Sequence, residues 1–165
     1  MLLVVTSLEV GPRPLLHDVL VDLLGSAPAV DRTCPDCGEQ HDKPVLDHPS
    51  LHVSTSDSGG LAVVAVTDAG PVGVDVERSD ATDFRGFSGV ALAPGETGDG
   101  AVLWTRKEAV LKATGEGLRT DPATVRVVGD REPIRGAELY DVPVPVGWTA
   151  SLAVLTDGRP VLEVR

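Results

Sequence analysis

The chain has 165 residues, enough for one compact domain or for two small halves that share a core. Aromatic residues supply only 3% of it, so Val, Leu and Ala must fill the interior, and the abundant Val favours strands. The formal net charge of −11 excludes a general nucleic-acid binder, which needs a dense basic footprint, and requires any anionic ligand to be met by a few placed cations or a metal.

Residues 2–8 read as a short buried strand. The opening MLLVVTSLEVGPRP lacks the basic lead and long apolar run of a secretory leader, and no apolar run reaches the length of a membrane span. A cytoplasmic, reducing location without membrane association is therefore expected, and the two cysteines do not make a disulfide framework. Residues 14–26 place Leu15, Leu16, Val19, Leu20, Leu23 and Leu24 on one helical stripe, with Pro14 near its start and Gly25 at its end. A turn-rich loop is expected from Ser26 to about Ser50. Strands follow at 51–56, 61–66 and 71–77. Residues 78–97 are punctuated by Gly and Pro and read as irregular with one short helical turn, and a helix spans about 98–113, closed by Thr114-Gly115. The segments 125–129, 137–145, 148–156 and 160–164 read as further strands.

An internal repeat is visible in the letters. AVTDAGPVGVDV (65–76) and VLTDGRPVLEV (154–164) share a strand, a Thr-Asp turn leading to Pro-Val, and a returning strand. Each copy reads as a β-hairpin that cannot bury its apolar face alone. The fold class expected is thus α+β, a pseudo-twofold duplication in one domain with halves of approximately 1–77 and 78–165.

Two motifs carry chemistry. In GVDVE, Asp75 and Glu77 lie two apart on a strand, so both carboxylates leave one face. Adjacent like charges are costly unless a cation sits between them, and paired hard oxygens suit Mg²⁺. In WTRKEAVLKATGEGL (104–118), Glu108 stands one helical turn from both Trp104 and Lys112. Exposed Glu-x-x-x-Lys pairs are common, but Trp104 is too apolar for a freely solvated face.

Together these motifs resemble the signature pair of the Sfp-type 4′-phosphopantetheinyl transferases, Gly-x-Asp-x-Glu and Trp-x-x-Lys-Glu-Ala-x-x-Lys-x-x-Gly-x-Gly, with every fixed position present. DKPVL (42–46) is similar to the family's Gly-Lys-Pro element, with Asp42 in place of Gly. The resemblance implies a pseudo-twofold pair of α+β halves. It also implies transfer of the phosphopantetheine arm of coenzyme A to a serine of an apo-carrier protein (acyl, peptidyl or aryl), releasing 3′,5′-ADP, in polyketide or nonribosomal peptide biosynthesis. On it, Asp75, Glu77 and Glu108 match the Mg²⁺ carboxylates, and Lys112 matches the lysine at the transferring phosphate. Lys43 and Pro44 match a phosphate-gripping element. Either Glu108 or a water beside the ion takes the proton of the carrier serine. Lys107 is a structural or peripheral residue, and the protein is expected to act as a monomer.

The chain departs from the family pattern in three places. The usual Ser-His-Ser aligns with Ser56, Asp57 and Ser58, and a carboxylate 4 Å from a phosphate is repelled by roughly 4 kcal/mol at an effective dielectric of about 20. The nearest histidine, His52, lies upstream. Residues 78–103 are short where the family often has a longer carrier-receiving segment, which predicts a narrow carrier range. Arg13 and His17 are the only basic candidates on the first helix. The net charge, set against acidic carriers, predicts an apolar docking patch rather than broad electrostatic steering.

CPDCGEQH (34–41) offers Cys34, Cys37 and His41, with His48 or His52 as a fourth zinc ligand. No second Cys pair exists, so an ordinary turn beside the adenine is the preferred reading, and the absence of a following helix pattern argues against a thioredoxin-like redox pair. Gly115 and Gly117 follow a helix and read as a cap rather than a phosphate loop. Asp80, Asp83, Glu96 and Asp99 read as solvated loop charges. Two competing functions are a catalytically weak module that binds CoA or a carrier, and a Mg²⁺-dependent pyrophosphatase-like hydrolase.

Overall fold

The computed structural model describes residues 1–127 and 136–165. Among them the elements run β1 (Leu2–Ser7), α1 (Pro12–Leu24), β2 (Val30–Thr33), β3 (Gln40–Leu46), β4 (His52–Ser58), β5 (Leu61–Thr67), β6 (Val72–Arg78), α2 (Phe87–Ala91), α3 (Gly100–Thr114), β7 (Ala137–Val142), β8 (Trp148–Leu155) and β9 (Leu162–Val164). The fold is mixed α+β, with one sheet in the order β4-β5-β1-β9, a second in the order β6-β8-β7, and a two-stranded β2-β3 unit. None of the described helices is long and apolar enough to cross a membrane.

Alternation along the strands generates four layers. Leu2 and Val4 of β1 and Leu61, Val63 and Ala65 of β5 point inward to meet Val72, Val74 and Val76 of β6 and Leu152 and Val154 of β8. The intervening residues Leu3, Ala62, Val64 and Val66 face outward against Leu15, Leu16, Val19 and Leu20 of α1. On the far side α3 covers the second sheet, with Ala109, Val110, Leu111 and Ala113 against Ala153. The order is helix, sheet, sheet, helix. Because both faces of β5 are covered, its seven residues are all buried, and its sequence reads as continuous rather than alternating apolar.

Three expectations about the strands and turns change. Residues 26–50 contain an antiparallel β2-β3 pair rather than only loop, with Val30 opposite Leu46 and a register shift between Asp31 and Thr33. Neither Thr-Asp turn of the repeat closes a hairpin. β5 pairs with β1 and β4 while β6 pairs with β8, and β8 pairs with β6 and β7 while β9 runs parallel to β1. Each turn is therefore a crossing between sheets, the first delivering β6 to the sheet of the late strands and the second delivering β9 to that of the early ones. The segment 125–129 is partly outside the described residues. Val125 and Val127 lie buried under α3 as irregular chain, not strand.

Glu96, expected to be a solvated loop charge, is buried. Its Oε2 lies 2.7 Å from Lys107 Nζ, both side chains being 0% exposed. Lys107 also donates to the carbonyls of Pro122 and Val125, while Glu96 accepts from the amides of Ala93 and Val127. Every donor of the ammonium is satisfied, so this pair ties the loop before α3 to the loop after it, and of the two roles open to Lys107, structural or peripheral, the buried pair is the structural one. Removing one partner strands the other charge, so Lys107→Met should cost about 3–5 kcal/mol in urea unfolding. Lys107→Met with Glu96→Gln should recover part of that loss. Asp99 also has a task, capping α3 by accepting from the Val102 amide at 3.0 Å.

Candidate functional site

The site lies where the edge strands of the two main sheets meet. On β6 the inward positions are valine, so Gly73, Asp75 and Glu77 all face α3 and its margin, the shared face expected from their spacing. On β4, Ser54, Ser56 and Ser58 repeat at the same period. Their hydroxyls reach across: Ser54 Oγ accepts from the Val74 amide at 3.0 Å and Ser56 Oγ from the Val76 amide at 3.4 Å. The serines thus satisfy an open sheet edge that would otherwise be exposed to pairing. Ser56 also donates to Asp75 Oδ1 at 2.9 Å, and Ser58 donates to Glu77 Oε2 at 2.8 Å, so they orient both carboxylates.

Helix α3 supplies the rest. Lys112 Nζ lies 2.6 Å from Asp75 Oδ1 and 3.2 Å from both Ser56 Oγ and the Val74 carbonyl. Asp75 is 4% exposed, and its Oδ2 and Glu108 Oε1 are buried with no hydrogen-bond partner among the described residues. Burial, helped by the charge of Glu77, raises the Asp75 pKa against the opposing pull of Lys112 and Ser56. Burial also raises that of Glu108, with the charges of Asp75 and Glu77 adding to it. Two buried carboxylate oxygens without donors, Asp75 Oδ2 and Glu108 Oε1, are hard ligands of the kind Mg²⁺ takes, although among the described residues Asp75, Glu77 and Glu108 do not gather as one close three-ligand group.

A cleft of about 590 Å³ opens from this point and is walled by Arg32, Lys43, Pro44, Glu108, Lys112 and Arg119 among others. Lys43 and Pro44 both line it. The Lys43 ammonium donates to the carbonyls of Lys112 at 2.7 Å and Ala113 at 3.3 Å, at the C-terminal end of α3, where a cation meets the negative end of the helix. Asp57 is exposed on the face of β4 opposite Ser56 and Ser58, and it is not part of the cleft wall. Arg13 donates to the Gln40 carbonyl at 2.5 Å, and His17 is exposed beside Asp18. Two basic wall residues escaped the sequence reading. Arg32 sits on β2, where alternation places Val30 and Arg32 half-buried on one side, a signal visible only once β2 is recognised. Arg119 follows Gly115 and Gly117, and Gly115 adopts φ 76° as the α3 cap, as expected.

Residues 71–159, just over half of the chain, match the model of the 4′-phosphopantetheinyl transferase superfamily. The chain belongs to that superfamily. It is also similar to the 4′-phosphopantetheinyl transferase psf-1 of Bacillus pumilus, at 38% identity over 92 residues, a stretch that covers 48% of this chain and 39% of that protein. The superfamily match spans β6, α3 and β8 and so takes in all three carboxylates and Lys112.

Burial lowers the pKa of Lys43 to about 8, which gives this transferase-family cleft a testable pH response. Above that pKa the folded chain holds fewer protons at Lys43 than the unfolded chain, whose ordinary lysine value is 10.5, so the empty protein gains stability as pH rises between the two. A phosphate-bearing ligand prefers the ammonium, so its affinity should fall over the same range. Calorimetric titration with coenzyme A should show about a tenfold weakening one pH unit above that pKa, and Lys43→Gln should flatten the profile. An unchanged slope in that variant would remove Lys43 from the ligand.

Proposed function

We propose that this protein transfers the 4′-phosphopantetheine arm of coenzyme A to the serine of an apo-carrier protein, releasing 3′,5′-ADP, with Asp75, Glu77 and Glu108 holding a Mg²⁺ ion. The observation that carries the reading is the pair of buried, partnerless oxygens, Asp75 Oδ2 and Glu108 Oε1, beside the cationic wall of Lys112, Lys43 and Arg32. What the ion supplies when bound is charge, offsetting the diphosphate as its phosphoanhydride breaks. The chain's own groups do the positioning. Ser56 and Ser58 orient Asp75 and Glu77. Lys112, whose three donors are taken by Asp75, Ser56 and the Val74 carbonyl, steadies Asp75 and sets a positive charge beside the phosphate, and Lys43 grips a phosphate further along the cleft. Phosphoryl transfer asks for little more than such alignment and charge neutralisation.

The acceptor side has its own support. Phe87 stacks edge-on against Trp104 at 6.1 Å and against Phe84 at 5.6 Å, one turn of α3 before Glu108. Phe84 and Val90 are 56% and 64% exposed, which suits the apolar docking patch that a −11 chain needs for an acidic carrier.

Mass spectrometry of an apo-carrier incubated with CoA, Mg²⁺ and this protein tests the reading. The expected result is a gain of one phosphopantetheine per carrier serine. No gain with CoA binding intact would select the binding module instead, and Asp57→His would then show whether the altered Ser-His-Ser element is the cause.

A further inference from the structure

We infer that Cys34, Cys37 and His41 form a zinc site that staples the β2-β3 wall of the cleft. The ligand atoms of these three residues all lie within 4.8 Å of one another, and Cys37 Sγ is 3.0 Å from His41 Nε2. Two thiols and one imidazole make a soft set suited to zinc and unsuited to the Mg²⁺ of the carboxylate site. His48 and His52 do not join the group, and among the described residues no fourth Cys, His or carboxylate does. The coordination sphere is completed by a water or by an oxygen of whatever fills the cleft, whose wall includes Cys34 and His41.

The backbone is built for this. Between β2 and β3 the chain folds back so that the Cys34 amide donates to the Glu39 carbonyl at 2.8 Å and the Gly38 amide to the Cys34 carbonyl at 2.8 Å. Gly38 adopts φ 77°, a conformation a side chain would resist, and this closes the tight turn that brings Cys37 back beside Cys34. Both thiols are free, Cys34 buried and Cys37 exposed.

Charge decides what the ion does. Binding takes Zn²⁺ and releases one proton from each thiol, and the resulting dithiolate complex is neutral, so it adds no net positive field to the cleft. Its contribution is geometric. The β2-β3 pair buries little apolar surface of its own, chiefly Pro44, Leu46 and Cys34, yet it carries Arg32 and Lys43 into the cleft. A metal crosslink at its tip supplies the rigidity that this small core does not.

Metal analysis of the protein purified without chelator or added metal should find about one zinc per chain. Cobalt substitution should give thiolate-to-metal charge transfer and the visible bands of a tetrahedral ion. Cys37→Ser and His41→Ala, both at exposed positions, should keep the circular dichroism of the parent and lose zinc affinity by on the order of 100-fold or more. Asp75→Asn should leave zinc affinity unchanged, which separates this site from the carboxylates and from the transferase reading. A chain that emerges zinc-free and binds cobalt without a thiolate band overturns the proposal, as does undiminished zinc affinity in both variants.

Discussion

Gly73→Ala should unfold at a markedly lower urea concentration than the parent, losing about 3 kcal/mol, and should lose transfer activity with it. A Cβ at this position would sit 2.0 Å from the Ala109 carbonyl oxygen, 2.5 Å from the Ala113 amide and 2.8 Å from Lys112 Cβ. The nearest of these atoms are helix backbone, which cannot swing aside as a side-chain end can, so α3 itself must move off β6. That movement carries Glu108 and Lys112 away from Asp75, so the affinity for Mg²⁺ should fall in the same variant. Gly158→Ala is the matched control. Its nearest neighbour is Thr156 Oγ1 at 4.0 Å, and its stability should change by no more than about 0.5 kcal/mol. A parental midpoint for Gly73→Ala would mean that the helix is not held this close to the strand.

Much of this arrangement was legible in the letters because its causes are local. The stripe of α1, the paired spacing of Asp75 and Glu77, and the Glu108-Lys112 turn each follow from one element's period. What could not be read depends on partners distant in sequence. The repeated Thr-Asp turns look like hairpins because a strand follows each at hairpin distance, yet β6 finds β8 and β9 finds β1. The acidic character of Glu96 suggested solvent, and only the fold shows Lys107 and two backbone amides waiting for it. The β2-β3 pair is hidden by Pro35, Asp36 and Gly38, whose turn preferences mask the weak alternation of Val30 and Arg32 on one side. Val125 and Val127 mislead in the opposite direction, since residues suited to a strand here plug the gap beneath α3 without pairing.

Glu108→Gln should reduce phosphopantetheine transfer by roughly 1000-fold while making the metal-free protein more stable, by about 1 kcal/mol or some 2–4 °C in Tm. The two effects share one origin. Without an ion, the Glu108 carboxylate is buried with one oxygen unpartnered while the charges of Asp75 and Glu77 act against it, and the neutral amide removes the charge part of that cost. Because the folded-state pKa of Glu108 is raised above its ordinary 4.5, the folded chain holds more protons than the unfolded one between those values. The metal-free parent therefore loses stability as pH rises through that window, and the advantage of Glu108→Gln should be present at neutral pH and vanish in acid. Saturating Mg²⁺ should reverse the ranking, since ligand binding stabilises only the chain that can hold the ion. Lys112→Met supplies the opposite sign: it strands the buried Asp75 charge and should destabilise the metal-free protein as well as abolish transfer. Thermal melts of the three proteins, with and without Mg²⁺ and across pH, distinguish a carboxylate cluster built around a cation from a surface ion pair, for which Glu108→Gln would be neutral or destabilising and Mg²⁺ would shift nothing.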